Sequence, residues 1–298
     1  MIKKLCLALI LITNTLSAQP AHEVYLFDFI KNDSTNTYTL KNPINISDNK
    51  GLYDNQPSFL NDGMGVLFSS TRDDQTDIVL YDIETKEKRW MTNSTGSEYS
   101  PQQTPNKKFF SAIKLDTDDT QLLWHYSFRR KKPRVLVDKL KIGYHAWLNE
   151  KVIVSFVLGD PATLQVNNLK YKIKYPIDKN IGRSIHKIPT TELISIISLE
   201  HDEPEIYSID PTNSEKKYLA DALKGSQDMS WTPDQTIIMG RANKLYKLKP
   251  GTDKNWIEIA SLESFNLNGI TRIAVSPLGN KIAIVVDEPL EEDSPTNE

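Results

Sequence analysis

The sequence has one cysteine, Cys6, among its 298 residues. A single cysteine can neither close an internal disulfide nor build a multi-cysteine metal site. The chain also has no Gly-x-Ser-x-Gly elbow, no His-Glu-x-x-His pair and no Walker glycine loop. These absences exclude α/β-hydrolases, zincin proteases and P-loop NTPases as complete enzymes.

The chain has neither a strong net charge nor a long apolar run. Lysine plus arginine is 36 against 39 acidic residues, so it lacks the basic field that nucleic-acid-binding proteins carry, and we expect no nucleic-acid partner. The clearest apolar run, Leu5 to Ile12, is far shorter than the roughly twenty residues that a membrane span needs. With 39% hydrophobic and 25% charged residues, the composition is that of an ordinary folded protein.

The N-terminus has the pattern of a secretory signal peptide. Lys3 and Lys4 precede the apolar run, and small residues follow at Ser17 and Ala18. A buried N-terminal strand is the alternative interpretation. We expect cleavage near Ala18, with residues 1–18 removed and the mature protein periplasmic or secreted. Removal takes away two lysines and no acid, so the formal net charge changes from −3 to −5.

The rest of the chain is a repeat. A cluster of Pro, Asn, Asp or Gly followed by an apolar strand recurs, as in Pro57–Gly63 and Trp231–Asp234. The equivalent positions, taken as anchors, are Pro57, Pro101, His145, His186, Met229 and Ile273. They are separated by 44, 44, 41, 43 and 44 residues, which indicates six structural units.

A third strand follows five of the anchors by fifteen to twenty residues. These predicted strands are Asp77–Asp82, Gln121–Tyr126, Thr163–Asn167, Glu205–Asp210 and Lys244–Leu248. The last unit lacks one, whereas Glu23–Asp28 has the same pattern and stands alone near the N-terminus. We therefore predict an all-β fold, a six-bladed β-propeller over residues 19–289, closed by pairing of the N-terminal strands with the last blade. The acidic residues 290–298 are expected to be a disordered tail.

The even spacing also bears on alternative folds. A β-sandwich is the second candidate, but it does not account for the period. Helical solenoids are disfavoured because helix-period patterning is nearly absent.

Four segments follow one another in the order Pro57-Ser58-Phe59, Asn61-Asp62-Gly63, Phe68 to Asp73 and Asp77 to Tyr81. This order resembles the WD-like propeller repeat of the TolB family. This resemblance implies an exported propeller and, for TolB itself, protein binding in the Tol–Pal system. Repeat material begins by Glu23, without the α/β domain that precedes the propeller in TolB, so we do not transfer the Tol–Pal role. Prolyl oligopeptidase-like enzymes and oligogalacturonate lyases have similar repeats, and the fold alone does not choose among these functions.

Polar residues just before and at the anchors are expected to meet at one mouth of the central channel. The candidate ligand-binding residues are Glu98, Tyr99, Tyr144, His145, Arg183, His186, Asp228 and Arg272, with Asp54, Asn55 and Ser184 beside them. His145, His186 and Glu98 are candidate ligands for a divalent metal. Arg183 and Arg272 are suited to clamp a carboxylate or phosphate. The alternative is a polar, solvated mouth without a ligand.

The predicted function is a binding or scaffolding module for a protein, peptide or glycan in the cell envelope, acting as a monomer without a cofactor. A small metal-assisted hydrolase or lyase at the same mouth is the alternative, and a repeat without a ligand is the third. The basic loop Arg129–Arg134 suits anionic polysaccharide or phospholipid, or is a solvated hairpin tip. Trp147 and Trp231 are expected to make contacts between blades.

Overall fold

A computed structural model describes residues 21–32, 34–129 and 131–288. These residues form twenty-four strands in six four-stranded antiparallel sheets, with one short 3-10 turn at Glu263–Phe265. The sheets follow one another as the blades of a ring, so the predicted six-bladed β-propeller is confirmed. The predicted signal segment, residues 1–18, and the predicted acidic tail, residues 290–298, lie outside the described residues.

Each blade runs from an innermost strand beside the channel to an outermost strand at the rim. Blade 1 contains β3 (Asp54–Phe59), β4 (Gly65–Arg72), β5 (Gln75–Asp82) and β6 (Lys88–Trp90); blade 2 contains β7 (Ser97–Gln103), β8 (Phe109–Leu115), β9 (Gln121–Ser127) and β10 (Arg134–Val137). Blade 3 contains β11 (Ile142–Asn149), β12 (Val152–Val157), β13 (Thr163–Asn168) and β14 (Ile173–Lys179).

The second half of the ring has the same organisation. Blade 4 contains β15 (Ile181–Lys187), β16 (Ile194–Ser198), β17 (Glu205–Ile209) and β18 (Lys216–Asp221); blade 5 contains β19 (Met229–Trp231), β20 (Ile237–Arg241), β21 (Lys244–Leu248) and β22 (Ile257–Ser261). Blade 6 contains β23 (Arg272–Val275), β24 (Lys281–Asp287), β1 (His22–Asn32) and β2 (Thr37–Asn45). All five predicted third strands are present.

Blade 6 joins the two ends of the described chain. Strand β1 pairs antiparallel with β24, from His22 opposite Asp287 to Asp28 opposite Lys281. The N-terminal part of the chain thus supplies the third and fourth strands of the blade that the C-terminal part begins. This is the predicted closure, and it leaves no open end in the ring of blades.

The apolar core lies between neighbouring blades. Between blades 3 and 4, Val154 and Leu164 pack with Ile185, Ile194 and Ile196, and all five side chains are buried. The middle strands of each blade have apolar residues toward both neighbours, which is why they are runs of β-branched residues. Within the described ranges, no helix is long and apolar enough to cross a membrane.

Candidate functional site

The two candidate histidines do not occupy equivalent positions. His145 pairs with Ser155, which pairs with Gln165 on the third strand. In blade 4 the residue with the corresponding strand pairing is Ile185. Ile185 is therefore the equivalent of His145, and His186 lies one residue after it. Because side chains alternate along a strand, a shift of one residue places the two imidazoles on opposite sides. The predicted equivalence of His145 and His186 is therefore wrong by one residue.

His145 is buried between blades 2 and 3, with 1% of its surface exposed. Its Nε2 lies 2.7 Å from the Ser111 hydroxyl, which also accepts a hydrogen bond from Trp147 Nε1 (2.9 Å) and lies 3.3 Å from the Gln102 carbonyl. All three contacts are satisfied if His145 Nε2–H donates and Ser111 donates to the carbonyl. This tautomer leaves an unpaired lone pair on Nδ1 rather than an unpaired N–H.

The environment of His145 favours the neutral imidazole. Burial lowers its pKa to about 3. Its Nε2 is already bonded to Ser111, so the ring holds blades 2 and 3 together.

Glu98 is buried between blades 1 and 2, away from the histidines. Its Oε1 accepts hydrogen bonds from the hydroxyls of Ser94 and Tyr126, and Oε2 has no partner. Burial raises the pKa of Glu98 to about 7, and the nearby Asp77 carboxylate adds to this effect. Across the described ranges, no three His, Cys, Asp or Glu side chains are grouped to hold a metal ion. The structure thus does not bring His145, His186 and Glu98 together.

The other candidates do meet at the start of the inner strands. Arg272 of blade 6 donates from Nη2 to the Tyr144 hydroxyl of blade 3 (2.8 Å), and its guanidinium carbon lies 4.9 Å from the centre of that ring. Its Nη1 lies 3.6 Å from Asp228 Oδ1, beside blade 5. Burial works against the charge of Arg272, but Asp228 and Tyr144 outweigh it and raise its pKa.

Arg183 of blade 4 is the second guanidinium at this mouth. Its Nη2 donates to the Thr271 carbonyl (3.1 Å), and its buried Nε has no hydrogen-bond partner. No carboxylate of the described chain forms an ion pair with it. Burial and the neighbouring Arg272 lower its pKa. The pocket therefore contains two guanidinium groups, Arg183 and Arg272, and one carboxylate, Asp228.

Two further tyrosines, from blades 1 and 2, lie near the arginines but do not line the cavity between them. Tyr99 of blade 2 contacts Tyr53 edge-to-face, with ring centres 6.4 Å apart. Tyr53 is half-buried, and burial of its hydroxyl raises its pKa, while the positive charges of Arg272 and Arg183 act in the opposite direction. Sequence reasoning missed Tyr53, although a tyrosine precedes each of the first three anchors by four residues or fewer.

The cavity at this mouth is small. It has a volume of about 80 Å³ and is lined by Tyr144, Arg183, His186, Asp228 and Arg272. His186 Nε2 lies 3.0 Å from the Ser184 hydroxyl, and that hydroxyl accepts from the Met229 amide. A volume of this size accommodates a carboxylate or a few waters. We name this cavity the arginine mouth.

The inner strands end at a wider cavity of about 540 Å³. Trp147 and Trp231 line it, and their indoles donate to Ser111 and Ser195 of the preceding blades (2.9 and 2.8 Å). These are inter-blade contacts of the kind expected from the sequence. Lys187 also lines the cavity, but its ammonium group already bonds the Leu148 carbonyl and Glu192, both at 2.7 Å.

Comparisons with known proteins identify the fold. No protein-family model matches the sequence, and no curated protein matches it. Among solved structures, a putative TolB from Agrobacterium tumefaciens is similar over 92% of this chain and 100% of its own, with a TM-score of 0.68 and 10% identity. An oligogalacturonate lyase in complex with manganese matches over 93% and 82% (TM-score 0.56, 13% identity). A chain from a nidogen/laminin complex matches over 81% and 93% (TM-score 0.60, 9% identity). At these identities the likeness establishes a β-propeller shared with TolB-like structures.

Proposed function

We propose that the protein is a binding module that holds one anionic group of a protein, peptide or glycan partner at the arginine mouth. The observation that carries this proposal is Arg183, a partly buried guanidinium without a carboxylate partner among the described residues, with a free Nε. Arg272 lines the same cavity. A carboxylate between two guanidinium groups forms charge-assisted hydrogen bonds that are about twice as strong as neutral ones.

The shape of the mouth restricts how a partner binds. About 80 Å³ admits a carboxylate, so the rest of the partner would lie outside on the face of the propeller. Tyr99 and Tyr53 offer aromatic surface beside the cations, as do many protein-recognition sites. The nidogen/laminin chain with the same fold comes from a protein–protein complex, which supports a partner of this kind.

The test uses short peptides as probes. N-acetylated tetrapeptides with a free C-terminal carboxylate are titrated into the protein, against the same peptides with a C-terminal amide and against galacturonate oligomers. We expect the peptides with a free carboxylate to bind more tightly than the amides. This binding should weaken at least about tenfold in Arg183→Met. Arg241→Met, an exposed arginine on blade 5, is the matched control. Equal binding of acid and amide, or unchanged binding by Arg183→Met, would contradict the proposal.

A metal-assisted hydrolase or lyase is the second candidate. It is supported by the manganese-containing oligogalacturonate lyase among the structural neighbours. Of its three candidate ligands, only His186 lines the arginine mouth with a ring that is not already enclosed between blades. Elemental analysis of untagged protein decides: one equivalent of a transition metal, lost in a folded His186→Ala variant, would favour this candidate over the binding module.

We also propose that the protein acts outside the cytoplasm. The charged start, short apolar core and Ala18 support export. Mass spectrometry of the protein from the periplasmic fraction should give a mature N-terminus near residue 19. An intact Met1 in that fraction would contradict cleavage.

A further inference from the structure

A basic groove crosses the rim between blades 2 and 3, away from the channel. Its volume is about 1290 Å³. Its cationic residues are Arg134, Lys139, Lys151, Lys170, Lys172 and Lys174. Two carboxylates, Asp138 and Glu150, also line it.

Most of the positive charge in the groove is unpaired. Lys174 pairs with Asp138. The other five cations form no ion pair with any carboxylate in the described ranges. A cleft with an excess of positive charge attracts ligands of the opposite sign, here an anionic partner.

One wall of the groove is formed by an edge strand. Strand β10 is the outermost strand of blade 2, so one of its edges has no neighbouring strand. All six consecutive residues from 134 to 139 line the groove. A register shift between Val135 and Val137 interrupts the alternation of side chains in β10, and the groove follows this strand over its whole length. Unpaired backbone groups on such an edge can pair with another strand.

The groove also presents apolar side chains. Val135 is 39% exposed and Ile173 is 52% exposed, on opposite walls. Apolar side chains interspersed with lysines suit a partner strand with alternating acidic and apolar residues. A polyanionic glycan would satisfy the lysines but would use neither the backbone edge nor the apolar residues.

We propose that the basic groove binds an extended acidic peptide segment of a partner protein, which adds to β10 as a fifth strand of blade 2. Backbone hydrogen bonds between the peptide and β10 would supply affinity. Contacts of the peptide's acidic side chains with Lys139 and Lys172 would supply selectivity. The basic loop that was apparent in the sequence leads into this groove through Arg134, whereas Arg130 lies outside the described residues. This site is independent of the arginine mouth.

The probe is a fluorescein-labelled octapeptide of alternating glutamate and valine, followed by fluorescence anisotropy. We expect saturable binding that weakens as salt rises. Lys139→Glu/Lys172→Glu should weaken it about tenfold. The matched control is Lys217→Glu/Lys254→Glu, which changes the same number of charges at exposed lysines of blades 4 and 5. It should change binding less than about twofold.

Three further measurements separate strand addition from simple charge attraction. A probe with its two central valines replaced by proline should bind at least about tenfold more weakly, because proline cannot join the hydrogen-bonded ladder. Hydrogen exchange of the β10 amides should slow when the octapeptide binds. The third measurement replaces the octapeptide with polygalacturonate or with phosphatidylglycerol vesicles. Equal binding of the octapeptide and its proline variant would overturn the proposal. Binding of polygalacturonate or of the vesicles, but not of the octapeptide, would also overturn it.

Discussion

Arg272 and Tyr144, which are 128 residues apart, meet across the central channel, the guanidinium donating to the phenol oxygen at 2.8 Å and lying over the ring. They come from blades 6 and 3, on opposite sides of the ring. Blade 6 also contains the junction of the N- and C-terminal strands. This contact therefore ties the closing blade directly to the far side of the propeller.

The Arg272–Tyr144 contact should contribute to stability. Tyr144→Phe removes the acceptor for Arg272 Nη2 but keeps the ring beneath the guanidinium, so we expect a loss of about 1 kcal/mol in the free energy of unfolding. Urea denaturation measures it. Tyr171→Phe, on a side chain that is 63% exposed, serves as control and should change stability by less than about 0.5 kcal/mol. Equal effects of the two substitutions would contradict a stabilising role for the contact.

The two tryptophan–serine hydrogen bonds should behave alike because they are equivalent contacts in different blades. Trp147→Phe and Trp231→Phe each remove an indole donor from a buried serine, Ser111 or Ser195. We expect each to lower the free energy of unfolding by about 1–3 kcal/mol. Trp90→Phe, at a partly exposed tryptophan, is the comparison in the same urea experiment. A loss no larger than that of Trp90→Phe would show that packing alone holds these indoles.

The blades were predictable because their strands repeat one alternating pattern at a nearly constant spacing. Glu23–Asp28 matches that pattern, which is enough to identify the closing strand from the sequence. The register within an inner strand was less predictable. His186 and Ile185 are neighbours, and only the pairing of Ile185 with Ile196 shows which of them corresponds to His145. Glu98 was misplaced for a similar reason, because a carboxylate enclosed between blades has the same sequence neighbours as one that lines the channel.

Glu98 should make the protein less stable as pH rises. Its folded pKa is raised to about 7, so between the unfolded value near 4.5 and pH 7 the folded state binds more protons. Stability is then lost across that window and is not regained above it. Glu98→Gln keeps a neutral group at this position at every pH. Between pH 5 and pH 8 the free energy of unfolding should therefore fall by about 2 kcal/mol less in the variant than in the wild type. Parallel pH–stability curves for the two proteins would contradict this pKa.

His145 should act in the opposite direction, at lower pH. Its folded pKa is lowered to about 3 by burial, whereas the unfolded imidazole binds a proton below pH 6.5. Between these values the unfolded state holds more protons, so acid destabilises the fold. Between pH 6.5 and pH 5 the free energy of unfolding should fall by about 2 kcal/mol for this reason. His145→Gln removes the titrating group and should flatten the wild-type loss over that range in urea unfolding. A constant difference between wild type and variant at every pH would mean that the pKa of His145 is the same in the folded and unfolded states.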